Sequence, residues 1–436
     1  MLNFCNNSFL AAIFLCCTIN IKILKSLIVC DIMIKIYFCN ININHYIKRG
    51  KIMKYFTIYN PVKIHFGAGI ISEAGNIAKK YSDNVLIVTG KNSMQKTGAL
   101  DKLVKILKES GITVTVYDGI TPNPTINEID EAAKIAKQKN VGLIIGLGGG
   151  SPLDSSKAIA VAAKGDIPVW EYLKTAANDA IPVITIVSTS GTGSEVNRYS
   201  VMTNPATGEK PGFGYECMYP KEAIIDPEIT SSMPPYVTAA TGFDVFVHIF
   251  EAFTGKAKNE FSTAYCMQSF YLLKDNLIKA YSEPNNMEAR GNMALASALA
   301  GLAIDISGVG IMHAMEHPVS GNYPNIAHGA GLAVLALESM KYNLEVCKRD
   351  YMLIAHHFGI KRAGKSDDEY AMSLVEKTKE ILTALNLNVK LKDLGVEKDK
   401  LQKIAKEAFT TMGFAITNNP KEIDEKGILK LLENSY

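Results

Sequence analysis

The chain has 436 residues, of which 47% are hydrophobic and 20% charged, enough for two domains with full cores and ordinary for a globular enzyme. A net charge of +3, with no basic arm and no aromatic–basic platform, argues against a nucleic-acid partner. The eight cysteines form no CxxC pair and no regular spacing, which speaks against a disulfide framework and a thiolate zinc site and points to a reducing, cytoplasmic compartment.

Residues 1–52 differ from the rest. They are rich in Ile, Asn and Lys, and hold Cys5, Cys16, Cys17, Cys30 and Cys39. The apolar run 9–19 is too short for a membrane span, and it lacks the basic flank and cleavage site of a signal peptide. The composition is that of a translated AT-rich non-coding stretch. The expectation is a non-native extension, with the working protein starting at Met53.

From Met53 the pattern becomes orderly. Residues 60–66 read as a strand, 71–80 as a short helix, 85–89 as a buried strand, 100–110 as a helix and 114–117 as a strand. A helix over 126–139 and a strand over 141–145 follow. This alternation predicts an α/β domain over 53–235 with a doubly wound, Rossmann-like parallel sheet. The last strand runs into Gly148, Gly149, Gly150 and Ser151, then Pro152 and Asp154, with Ser151 expected as the helix N-cap and Pro152 at the first position. Bare backbone N–H groups at a helix N-terminus suit a diphosphate. After the strand 181–187 comes a second loop of small hydroxylic residues, with Thr189, Ser190, Thr192 and Ser194 as candidate donors and Glu195 at its end. Two such loops at strand ends of one sheet point to a dinucleotide. Gly90, Lys91 and Ser93 end the strand that usually carries an acidic ribose ligand. Gly in that place leaves room, and Lys and Ser offer charge, for a 2′-phosphate, so NADP(H) is expected over NAD(H).

Prolines at 227, 234 and 235 mark a change of periodicity. Helices are expected over 236–254, 260–281, 287–306, 325–345, 348–358, 368–386 and 398–412, an all-α bundle domain over 236–436. In the first of these, Asp244, His248 and Glu251 share one face of an apolar helix. Taken alone, that face fits an internal Asp–His hydrogen bond as well as a metal site. His313 and His317 lie at i, i+4, and His328 opens a later helix. Several imidazoles beside a buried carboxylate favour Fe²⁺ or Zn²⁺, with no sulfur ligand. His356 and His357 read as structural.

With these motifs in place, 53–436 resembles the iron-containing (group III) alcohol dehydrogenases. The matches are the Gly148–Asp154 loop, the Gly193, Ser194, Glu195 turn, Asp226 with Pro227, Gly242 to Glu251, His313 to Pro318, and His328 with Gly329. The resemblance implies a metal held by Asp244, His248, His313 and His328, with His317 in the active site on the proton path. It implies Asp154 at the nicotinamide end, Lys210 near the cofactor, and a homodimer. Glu251 becomes a supporting partner of the ligands. The NADPH-preferring butanol and aldehyde dehydrogenase branch looks most similar. The expected activity is hydride transfer between NAD(P)H and a short-chain alcohol or aldehyde, with no membrane partner. The rivals are a dehydroquinate-synthase-like or glycerol-dehydrogenase-like enzyme on the same fold and a non-catalytic nucleotide-binding protein.

Overall fold

The computed structural model describes residues 55–436, so the expectations for 1–52 lie outside the described residues. The elements in chain order are β1 (Lys63–Phe66), α1 (Ala74–Ala78), β2 (Asn84–Gly90), α2 (Ser93–Lys96), α3 (Ala99–Glu109), β3 (Thr113–Ile120), α4 (Ile126–Gln138), β4 (Leu143–Gly148), α5 (Gly150–Lys164), β5 (Val183–Val187), β6 (Ser200–Val201), β7 (Gly212–Phe213), β8 (Glu222–Ile225) and α6 (Pro227–Thr230). Then come α7 (Pro235–Thr254), α8 (Glu260–Ser282), α9 (Met287–Ser307), α10 (Ile311–Asn322), α11 (His328–His357), α12 (Asp367–Ala384), α13 (Leu401–Asn418) and α14 (Glu425–Asn434).

Six strands form one parallel sheet in the order β1-β8-β5-β4-β2-β3. Strand side chains alternate between faces, and both faces are apolar. Val85, Ile87, Leu143 and Ile145 pack with Leu100, Leu103 and Leu107 of α3, whereas Leu86, Val88 and Ile144 pack with α4 and α5. The α/β class is therefore as expected. The strand order reverses between β4 and β2, the place where such sheets bind ligands beyond their carboxyl ends.

After Ile225 the regular elements are helical. Helix α7 is the centre of this half and is buried from Thr238 to Thr254 at almost every position. Its Phe243, Phe246 and Phe250 stack along the helix, and Phe246 packs edge-on against Phe270 of α8 and Phe250 against Tyr351 of α11. A second apolar cluster joins α10 and α11 to α13 and α14. Residues Ile58–Tyr436 form one compact unit. Among the described residues, no single helix is long and apolar enough to cross a membrane.

Several boundaries differ from expectation. The helix expected over 71–80 is a 3₁₀ turn, Ile70–Glu73, followed by α1. Helix α5 starts two residues early, so Gly149 is its N-cap and Ser151 lies inside its first turn. The helices expected over 325–345 and 348–358 are one, because the buried stripe Met340, Asn343, Cys347, Tyr351, Ile354 continues across the polar residues between them. Helix α13 passes residue 412 and runs to Asn418, with a kink at Met412 (φ −127, ψ 29). The short strands β6, β7 and β8, and α14, were not marked by the pattern. Pro318 lies inside α10 and hid it as a helix.

Candidate active site

The carboxyl ends of β2, β4 and β5 lie side by side, since Thr89 pairs with Leu147 and Gly148 with Val187. This brings the turn 90–93 and both glycine-rich loops to one edge of the sheet. The loops are bonded together: the Ser194 hydroxyl donates to Asp154 Oδ1, and the Val201 N–H donates to Asp154 Oδ2 at 2.9 Å. Both oxygens of Asp154 are therefore engaged by the protein, and its carboxylate shapes the wall instead of standing free. Behind that wall is Lys157, which is fully enclosed. Its ammonium donates to Ser194 Oγ (2.8 Å), Ser194 O (3.0 Å), Asn197 O (3.2 Å) and Asn197 Oδ1 (3.3 Å), with Asp154 Oδ1 at 3.6 Å. A buried ammonium is tolerated only with such a full set of partners. Lys157 was not singled out from the sequence. Its signal was a Lys three residues after Asp154 on an otherwise small and apolar helix.

A cavity of about 460 Å³ lies between these loops and the helical half. Gly150, Ser151, Asp154, Thr192 and Ser194 line one side, and His248, His313, His317 and His328 the other. Lys210 is also in its wall, and Ile304, Val309, Met412 and Phe414 supply apolar surface. Gly90, Lys91, Ser93, Gly149 and Thr189 are at the same strand ends but outside this lining. Ser190 does not fit its expected place. It is buried, does not line the cavity, and its hydroxyl has no protein partner.

The histidines come from three helices and meet at one point. His248 on α7 is one turn after Asp244, with Nδ1 3.4 Å from Asp244 Oδ1. His313 on α10 and His328 at the start of α11 each bring Nε2 to 3.8 Å from the same oxygen. Asp244 Oδ1, His248 Nδ1 and His313 Nε2 are buried without any hydrogen-bond partner. Orphaned donors and acceptors converging in a closed interior are unfavourable unless a cation takes them. One carboxylate with three imidazoles fits Fe²⁺ or Zn²⁺.

The far sides of the rings are held. His313 Nδ1 is 2.6 Å from Glu251 Oε2, and the same carboxylate accepts the Gly310 and Met312 N–H groups, both at 2.7 Å. Glu251 thus caps the N-terminus of α10 while orienting a ring. His328 Nδ1 is bonded to Glu316 Oε2, and Glu316 is fully enclosed. Glu316 lay unremarked in its motif; the sign was an acidic residue among apolar ones on one helix. Glu316 also groups with His317 and His328. Its oxygen faces the outer nitrogen of His328, so it supports that ring. His317 bonds the Lys210 carbonyl through Nδ1 at 2.9 Å, which leaves Nε2 bare at the cavity.

The charges suit a cation. Burial pushes His248 down to about 4, so its imidazole is neutral at pH 7. Burial opposes the charge on Asp244 too, but His248 and the other two rings outweigh it and hold the carboxyl at about 2. For His313, the Asp244 and Glu251 carboxylates overcome burial and raise it to about 9. A divalent cation would compete with a proton for the space between Asp244 and His313, and its uptake there would release a proton.

Close packing at Gly329 lets α11 begin against α7. A Cβ on Gly329 would sit 1.9 Å from the Ala240 carbonyl oxygen, a backbone atom that cannot swing aside. Gly329→Ala is expected to lower stability by roughly 1–3 kcal/mol and to displace His328. Thermal unfolding with metal analysis checks this, and unchanged values in both would refute the packing argument.

The profile of the iron-containing alcohol dehydrogenases matches residues 61–227, and that of the C-terminal part of the Fe-containing alcohol dehydrogenase family matches residues 238–436. A long-chain primary alcohol dehydrogenase of Thermoanaerobacter ethanolicus is 34% identical over 85% of this chain and 95% of its own length. The NADH-dependent butanol dehydrogenase A of Clostridium acetobutylicum is 32% identical over 86% of this chain and 98% of its own length. Among solved structures, an archaeal halo-thermophilic alcohol dehydrogenase from a Red Sea brine pool superposes with a TM-score of 0.84 at 34% identity, covering 88% of this chain and all of that one. Dehydroquinate-synthase-like, glycerol-dehydrogenase-like and non-catalytic readings are not favoured by these relatives. With both halves matched and the carboxylate–histidine cluster facing the glycine-rich loops, the chain belongs to the iron-containing alcohol dehydrogenase family.

Proposed function

We propose that the enzyme transfers a hydride between NADP(H) and a short-chain alcohol or aldehyde, with Fe²⁺ or Zn²⁺ held by Asp244, His248, His313 and His328. The observation that carries this is the set of orphaned donor atoms at the end of a cavity whose opposite wall is two glycine-rich loops. When bound, the metal supplies a Lewis acid for the substrate oxygen and the dinucleotide supplies or takes the hydride. The residues of the chain do the rest. Gly149, Gly150, Ser151, Thr189, Thr192 and Ser194 receive the diphosphate and ribose ends of the dinucleotide at the start of α5. Asp154, fixed by Ser194, Val201 and Lys157, keeps the nicotinamide wall in place. Burial pushes His317 well below its ordinary value, so it is neutral and its Nε2 can take the hydroxyl proton. Ile304, Val309, Met412 and Phe414 exclude water and accept the alkyl chain.

The preference for NADP(H) rests on Gly90. A Cβ there would meet nothing closer than the Ile120 carbonyl at 3.5 Å, so the fold itself does not demand glycine. Exposed Lys91 and Ser93 stand beside it. Relatives named as NADH-dependent make this a pointed question. Gly90→Asp is expected to lower the NADPH/NADH ratio of kcat/KM by at least about tenfold, by repelling the 2′-phosphate and accepting ribose hydroxyls. An unchanged ratio would remove Gly90 from the argument. A homodimer is supported by the edge strand β1, where Ile64 and Phe66 are exposed. The lack of disulfide-type cysteine spacing supports a cytoplasmic site.

The whole reading is tested by metal analysis of anaerobically purified protein, with NADPH and NADH oxidation followed over aldehydes of increasing length. Full turnover by metal-free protein would overturn it.

A further inference from the structure

Lys210 touches both halves of the site. It lies in the connection between β6 and β7, lines the cavity, and is almost fully buried. Its ammonium donates to Ser320 Oγ at 2.7 Å and lies 3.8 Å from Glu316 Oε2. That same oxygen holds His328 Nδ1, while Glu316 Oε1 has no hydrogen-bond partner. The ammonium and the imidazole therefore draw on one carboxylate oxygen. Glu316 is outside the cavity lining, so its influence on a cavity ligand passes through Lys210 and His328, which both line it.

We propose that Lys210 makes dinucleotide and metal binding cooperative, through the oxygen of Glu316 that it shares with His328. This rests on the metal and dinucleotide assignments made under the proposed function. An ammonium has three donors, and Ser320 takes one. Phosphate or ribose oxygens of a dinucleotide in the cavity draw the ammonium toward themselves. Glu316 Oε2 then bonds the His328 N–H more strongly. A ring whose outer N–H is better held is a more basic donor at Nε2, and metal is held more tightly. Linkage requires the reverse effect to be equal: bound metal tightens the dinucleotide by the same factor, about fivefold or more.

The experiment uses the full chain loaded with Zn²⁺. Retention of zinc is measured against rising chelator with and without saturating NADPH, and NADPH affinity is measured by fluorescence with and without zinc. The wild type should give equal factors of about fivefold or more in the two directions. In Lys210→Met both factors should fall to about one while zinc still binds. Glu316→Gln provides a second route, because it leaves the cavity lining and the cation in place. There the zinc affinity should fall on the order of tenfold and the coupling should vanish, while NADPH affinity of the zinc-free protein should rise, because the carboxylate charge no longer competes for the Lys210 ammonium. Full coupling in Glu316→Gln would mean that the cation attracts the anionic dinucleotide directly, and would overturn the proposal. A wild type that binds both ligands with a factor of one defeats the linkage alone. A wild type that binds no zinc defeats the functional reading and the linkage together.

Discussion

His248→Ala is expected to strip the metal and to reduce turnover by on the order of a thousandfold or more, while the protein still unfolds cooperatively. His248 is the only ring of the cluster on the same helix as Asp244, so these two form the fixed half of the site. Helix α7 is held on all sides by aromatic and aliphatic packing, so losing one imidazole does not release it. What is lost is a neutral nitrogen donor one helical turn from Asp244. Three donors remain, from α7, α10 and α11, and Asp244 Oδ1 keeps no hydrogen-bond partner. Elemental analysis, circular dichroism and NADPH oxidation on one preparation separate the cases. Loss of metal and turnover with an intact melt supports the assignment. Wild-type metal content with wild-type turnover would refute it, and a lost melt would make His248 structural.

Much of this site could be read from the chain because its residues sit on long, strongly periodic helices. Asp244, His248 and Glu251 fall on one face by spacing alone, and the buried strands of the sheet show as continuous apolar runs. What could not be read was anything fixed by contact between distant segments. Spacing does not tell whether His313 or His317 points at Asp244. That depends on Glu251 reaching across from α7 to the start of α10 and on the Lys210 carbonyl holding His317. Lys157 and Glu316 read as ordinary polar residues until α5 and α10 are placed against their neighbours. Ser190 looked like one donor among several, yet the loop turns it inward. The strands β6, β7 and β8 have two to four residues each, too few for a period to appear.

The same burial makes Glu195 a source of pH dependence. Both of its oxygens are buried without a hydrogen-bond partner, next in sequence to Ser194 in the cavity wall. Burial raises its carboxyl from 4.5 to about 7, and the nearby Lys157 charge offsets this only in part. The folded protein keeps this proton up to about pH 7, whereas the unfolded chain loses it near 4.5. Between those values the folded state binds more protons, so its stability falls as pH rises. The contribution is complete below 4.5 and lost above 7, a difference of about 3 kcal/mol at most. Glu195→Gln keeps the side chain neutral throughout. It should match the wild type at acid pH and exceed it at pH 8 by about 4 °C in Tm. Other groups titrate over the same range, so the informative quantity is the difference between variant and wild-type Tm as a function of pH. A difference that is flat, or that favours the wild type at pH 8, would show that Glu195 is already well paired when charged. A rise centred between 4.5 and 7 would identify the turn behind the cavity wall as a point where the fold gives up stability at neutral pH.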